Sequence, residues 1–123
     1  MTDETSNGEV KWIVPAGMAL KSADVNVADI NSVLQSFLRR LGLVSLHLFN
    51  TVIVVTSGKD SIHVASSKHG RGDAVDLRIS NFAPEDQPAL LLALRVLCKQ
   101  FGLSMFDESY APGMGHVHIE IAG

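Results

Sequence analysis

The closing segment His116-Val117-His118-Ile119-Glu120-Ile121 puts the tightest limit on the fold. Alternate residues of a strand leave on opposite faces. Val117, Ile119 and Ile121 therefore share one face, and His116, His118 and Glu120 share the other. The first face packs on a core. The second lines a groove, because two imidazoles and a carboxylate are costly to bury without partners. The chain must therefore build a sheet that is covered on one side and polar on the other.

The rest of the sequence supplies the cover. Val27, Ile30, Leu34, Phe37 and Leu41 recur at gaps of three and four, one face of an amphipathic helix. Asn26 is placed to cap its start, Arg39 and Arg40 suit its C-terminal dipole, and Gly42 can end it. Val44 to Phe49 alternates and reads as a strand. Thr51 to Thr56 is β-branched and mostly apolar, the pattern of a buried strand. Ser57 to Ser67 is a polar loop, and Ala74 to Ile79 reads as a further strand. Pro84 fits the first turn of a second helix, lined by Leu90, Leu94, Leu97 and Phe101 and stopped by Gly102. Leu103 to Phe106 and His116 to Ile121 are the last two strands, joined by a loop with a turn at Ala111-Pro112-Gly113. The order α-β-β-β-α-β-β predicts an α+β domain with two helices on a largely antiparallel sheet.

One domain is expected over residues 10–123, after a disordered tail at 1–9 that is polar and acidic with nothing to bury. Of the 123 residues, 46% are apolar, enough for a core without disulfides or metal staples. The single cysteine, Cys98, lies in an apolar helical pattern and reads as a buried, inert thiol. A net charge of -3 and the lack of a Lys/Arg run beyond Arg39-Arg40 argue against nucleic acid. No apolar run reaches the length of a membrane span, and no signal peptide is visible, so the chain is expected to be cytoplasmic as made. No oligomeric state is implied by the pattern.

The chemistry is concentrated in two clusters. The first is Ser67-Lys68-His69-Gly70-Arg71-Gly72-Asp73-Ala74-Val75-Asp76. His69 and Asp76 are too far apart for one helical face, but a loop that turns at the glycines can bring them together. The second is the polar face of His116 to Glu120. One His, one Asp and a second His form the ligand set of a catalytic zinc, which leaves a fourth position open. Mixed imidazole and carboxylate donors suit zinc, whereas calcium takes more oxygen ligands than this set offers.

The pattern Ser67-x-His69-x-x-Gly72-x-Ala74-x-Asp76, followed by a late His in a strand, resembles the zinc peptidases of bacterial cell-wall peptides. These are the D-alanyl-D-alanine carboxypeptidases and dipeptidases and the phage L-alanyl-D-glutamate endopeptidases, whose fold and zinc site the hedgehog signalling domain shares. The resemblance covers roughly Thr51 to Ile121. It implies a hedgehog/peptidase-like fold and one zinc per chain, held by His69, Asp76 and His118. His116 would lie beside the metal, orienting water or steadying the transition state. The Thr56-Ser57-Gly58 turn is a landmark of the family. An Arg usually follows it for the substrate carboxylate; here Lys59 stands there, with Arg71 and Ser67 as further substrate-binding candidates.

One departure concerns the general base. Many of these peptidases carry a Glu or Asp three residues before the last His, and this chain has Gly115 there. Glu108 is the first substitute, from the hedgehog-like placement of a Glu before the His-x-His strand, and Asp107 the second. The resemblance thus implies a zinc hydrolase of peptidoglycan stem peptides. It would act as a phage endolysin-like or virion enzyme that reaches the cell wall after release. The alternative is a zinc-stabilised, non-catalytic hedgehog-like module.

Overall fold

The computed structural model describes residues 14–59, 68–109 and 115–122, and the backbone of two short strands before them. Those strands, β1 (Asp3–Glu4) and β2 (Val10–Lys11), pair antiparallel. The rest of the 1–9 tail, Ser67 and the Ala111-Pro112-Gly113 turn lie outside the described residues. β3 (Met18–Leu20) leads into α1 (Ser32–Phe49), then β4 (Ile53–Ser57) and β5 (Ala74–Arg78). α2 (Gln87–Phe101), β6 (Leu103–Asp107) and β7 (His116–Ile121) complete the order. The fold is α+β, with a five-stranded sheet ordered β3-β4-β5-β7-β6. Only β3 and β4 run parallel; the other neighbours are antiparallel.

The helices cover one face of this sheet. Val75, Leu77, Val117 and Ile119 are fully buried and pack in one core with Leu34, Phe37, Leu41, Leu90 and Leu94. Burying a side chain of this size contributes roughly 1.5–3 kcal/mol. That set pins the register, since a one-residue slip would send His118 into the core and Ile119 into solvent. The polar residues of the two clusters are therefore held outward by the apolar residues between them. Cys98 is buried, and burial pushes its thiol up to about 12 against the weaker pull of Arg95. No described helix is long and apolar enough to cross a membrane.

The first helix differs from the expectation at both ends. Val27 and Ile30 are buried, as the periodicity required, but they precede the helix. The Asn26 side chain accepts from the backbone N–H groups of Ala28 and Asp29, closing a local turn instead of a helix start. Asn31 is the cap, accepting from Val33 N at 2.9 Å. At the other end the helix runs through Gly42 and takes in Val44 to Phe49, which the sequence pattern had as a strand. It stops at Asn50, in the left-handed region at φ 46°. Arg39 and Arg40 thus lie mid-helix rather than at its end.

Gly42 is there for a close approach. A Cβ on it would lie 2.3 Å from the carbonyl oxygen of Ala16, where the chain turns into β3. That contact lets the strand pass over the helix and pair with β4 after the crossover. The three-residue β3 was not legible as a strand, because it is too short to show alternation. At α2, Gln87 rather than Pro84 begins the helix, with Pro88 in the first turn and Gly102 closing it at φ 69°.

Gly42→Ala ought to stabilise an ordinary helix interior by about 1 kcal/mol. Here backbone blocks the methyl group, so the variant should instead lose about 2 kcal/mol or more, the scale of an overpacked core. Urea denaturation of the two proteins checks this; a raised midpoint would remove the role assigned to Gly42.

Candidate metal centre

Three strands and one glycine loop build the site on the uncovered face. In the register, Asp76 of β5 lies opposite His118 of β7, which lies opposite Phe106 of β6. Arg78 and His116 form the next pair along, and Ala74 and Glu120 the pair on the other side. His69 reaches the same point from the loop before β5. That loop is tight: Gly72 N donates to His69 O at 3.0 Å, and Asp73 N to Lys68 O at 2.8 Å.

Segment 26–31 backs this loop. Gly72 has φ +78°, and a Cβ on it would meet the Asp29 carbonyl oxygen at 2.7 Å. A Cβ on Gly58 would meet the Asn26 carbonyl oxygen at 2.1 Å. The backbone N–H of Asn31 donates to Gly72 O at 2.7 Å, and that of Lys59 to Asn26 O at 2.8 Å. Gly58 and Gly72 are glycines because another stretch of backbone occupies the Cβ position.

The Asp76 carboxylate sits between two imidazoles. Its Oδ1 is 2.9 Å from His118 Nδ1, and its Oδ2 is 3.3 Å from His69 Nε2. The far nitrogen of each ring is also committed. His69 Nδ1 is 3.0 Å from the Gly58 carbonyl oxygen, which can only accept, so this nitrogen carries a proton. His118 Nε2 is 2.8 Å from Glu120 Oε1. Glu120 is itself tied by Lys68, at 3.6 Å, which also donates to the Ile121 carbonyl. The two rings meet edge-on with centroids 5.0 Å apart.

Both nitrogens of both rings therefore face acceptors, whereas a neutral imidazole has only one N–H to give. The deficit can be met by extra protons or by a cation. The protonation preferences follow the first option. Burial works against charge on His69, yet the hydrogen bond to Asp76 and its negative charge hold the pKa above the ordinary value. The hydrogen bond to Asp76 raises His118 most, burial opposes it, and Glu120 adds to the rise. Burial raises Asp76, but the two histidines more than offset this and hold it well below the usual carboxylate range.

A cation meets the same deficit without protons. His69, Asp76 and His118 can each turn one donor atom to a common point, all within 4.8 Å of one another. Gly58 O and Glu120 then hold the outer N–H groups, the arrangement that orients metal-bound histidines. The group could hold a metal ion.

The other sequence candidates separate. His116 Nε2 is 3.2 Å from Glu108 Oε1, and Glu108 N donates to His116 O at 3.1 Å. Glu108, Phe106, His118 and Glu120 line an open cleft of about 350 Å³. Asp107 is not brought to this cleft. Its register partner is the core residue Val117, and its carboxylate accepts from Ser109. Arg71 is turned to Asp73 at 3.4 Å. The Lys59 side chain runs past Gly72. The Gly58 carbonyl leaves no mark in a one-dimensional pattern. Arg78 could have been found from the strand alternation, which puts it on the face of Asp76.

The metal-free protein should have a bounded pH optimum. Asp76 has a lowered pKa, so its contribution is present above the unfolded value of about 3.9 and lost as pH falls. His69 and His118 have raised values, so theirs is complete below about 6.5 and lost as pH rises through the folded values. Thermal melts in chelator should peak between about pH 4 and 6.5, and a divalent metal should move the optimum upward, since ligation needs neutral imidazoles. A metal-free melting temperature that climbs steadily to pH 8 would contradict this charge assignment.

No protein-family model and no curated protein matches the chain, so what the site can do is read from its own geometry and chemistry.

Proposed function

We propose that this chain is a zinc-dependent peptidase acting on peptidoglycan stem peptides, with a hedgehog/peptidase-like fold. One observation carries the reading. His69, Asp76 and His118 bring donor atoms together, and His118 also lines a cleft whose wall holds the Glu108 carboxylate, itself bonded to His116. A site built only for stability closes its ligand set, whereas a catalytic one keeps a position open to solvent. The motif Ser67-x-His69-x-x-Gly72-x-Ala74-x-Asp76 and the later His-x-His supply the substrate class through their resemblance to the cell-wall peptidases.

His69, Asp76 and His118 would hold the zinc, which would supply Lewis acidity toward a peptide carbonyl and a water. The chain's own residues do the proton work. Glu108 accepts the proton of the attacking water as its oxygen bonds to the carbonyl carbon. The same proton passes to the leaving nitrogen as the C–N bond breaks. His116, beside His118 on the same face, keeps Glu108 aimed through its Nε2 contact. Glu120 and Gly58 O keep the two ligand rings in their tautomers.

The second reading is a zinc-stabilised module without catalysis. Gly115 favours it: the position that carries the base in many such peptidases has no side chain, and its φ of +63° disfavours one. The two readings differ in what Glu108 does.

Purified protein should hold about one zinc per chain, and His118→Ala should abolish it. On synthetic stem peptides, hydrolysis should vanish with chelator and return with zinc. Glu108→Gln should lower kcat by about 10²–10⁴, the range of general base catalysis, while Asp107→Asn leaves it near the parent. Stoichiometric zinc with no hydrolysis of any stem peptide would select the non-catalytic module.

A further inference from the structure

The helical layer turns a face to solvent that the candidate metal centre does not use. In α1, Leu34, Phe37, Leu38 and Leu41 are buried, and Arg39, Arg40 and Leu43 stand opposite them and exposed. In α2, Leu90, Leu94 and Leu97 are buried, and Leu92, Arg95, Val96 and Lys99 stand opposite. Leu43 keeps 48% of its surface in water, Leu92 64% and Val96 51%. The helices are neighbours and run in opposite directions. Phe37, early in α1, packs edge-on against Phe101 at the end of α2, and Phe49, at the end of α1, against Phe82 just before α2. Arg39 and Arg40 therefore lie toward the Lys99 end of α2.

Charge on this layer is of one sign. The two helices hold Arg39, Arg40, Arg95 and Lys99 and no Asp or Glu, so all 13 acids of a chain with net charge -3 lie elsewhere. Glu85 and Asp86 precede the first turn of α2, at the opposite end from Lys99. Among the described residues, Arg40, Arg95 and Lys99 form no ion pair. Such a face repels a second copy of itself, because its cations would meet their own kind. Its partner is anionic.

The aliphatic side chains say which anionic partner fits. Leu43, Leu92 and Val96 stand among the cations and gain only by leaving water. A nucleic acid offers them little, since bases are held by aromatic stacking and by polar groups that read their edges. No Phe, Tyr or Trp of either helix is exposed. An anionic bilayer takes both kinds of side chain, with lipid phosphates at the level of the cations and acyl chains beneath for the aliphatic groups. The long stems of Arg and Lys allow this, because they lie along apolar surface while the charge stays with the headgroups. Neither helix is long and apolar enough to cross a membrane, so both would lie in its plane.

We propose that the solvent face of α1 and α2 is a docking surface for anionic lipid bilayers. Leu43, Leu92 and Val96 enter the interface, and Arg40, Arg95 and Lys99 meet the lipid phosphates. The helices cover one face of the sheet, and Asp76 and His118 lie on the other. A docked chain therefore holds the candidate metal centre away from the bilayer, open to whatever lies beyond it. The docking uses none of the residues of the proposed hydrolysis and stands apart from it.

The test is co-sedimentation of the full chain with vesicles of phosphatidylcholine alone, or of phosphatidylcholine and phosphatidylglycerol in equal parts. The mixed vesicles should carry the protein down and the neutral ones should not, with binding that weakens as salt rises. Each Lys or Arg near an anionic surface is worth roughly fivefold in affinity. Arg40→Gln, Arg95→Gln and Lys99→Gln together should therefore lower the partition by roughly 100-fold. Leu92→Gln with Val96→Gln leaves the charge intact and should lower it by roughly 10-fold or more, through the lost apolar burial. The changed side chains are exposed, so thermal melts of both variants should match the parent. A parent that leaves both vesicles in the supernatant, or binds both equally, overturns the proposal. So does a triple charge variant that still sediments with the mixed vesicles. Binding to duplex DNA or to polyglutamate as tight as to the mixed vesicles, and untouched by the aliphatic changes, would make the face a general polyanion site and retire the bilayer.

Discussion

Everything at the candidate site turns on the Asp76 carboxylate held between two imidazoles. Its oxygens lie 2.9 and 3.3 Å from His118 and His69. The far nitrogens of those rings are occupied by Glu120 and the Gly58 carbonyl. A chain of acceptors arranged around two rings is short of hydrogen. Such a site takes up protons or a metal, and the two compete for the same lone pairs. Burial sharpens the competition, because charge is expensive there unless each partner is matched.

The scaffold spends its special residues on keeping that carboxylate and those rings in place. The sheet register is set by Val75, Leu77, Val117 and Ile119, which the core holds inward so that Asp76, His116 and His118 must point out. The loop that brings in His69 is backed by segment 26–31, in close contact with Gly58 and Gly72. One edge of this arrangement rests on β3, which reaches the sheet only because Gly42 lets the turn at Ala16-Gly17 close down on α1. A contact on the helical side of the molecule is thus linked through the sheet to a site on its opposite face.

Side by side on the outer face are two rows with different chemistry. The first, Asp76 and His118 with His69, is well packed and offers donors that could hold a metal ion. The second, Arg78, His116 and Glu108, runs from a cation through an imidazole to a carboxylate. In the proposed hydrolysis the first row would hold the metal and the second would move protons. Asp107 belongs to neither row, since one step along a strand turns a side chain to the other face.

The sequence by itself determined which residues face the core and which gather at the candidate site. Alternation in His116–Ile121 separated two faces that the structure keeps separate, and the glycines at 70 and 72 marked the loop that returns His69 to Asp76. The buried positions of the first helical pattern were legible too, including Val27 and Ile30, although neither is in the helix. Only the tertiary structure decided where the first helix begins and ends, because that depends on a turn closed by Asn26 and on backbone packed against Gly42. It also decided that the sheet is mixed and that Gly58 O and Glu120 hold the rings. It left Arg78 beside His116 with no described acid to meet it. Periodicity reports the direction of a side chain; which distant backbone or charge it meets is settled only when the strands are laid side by side.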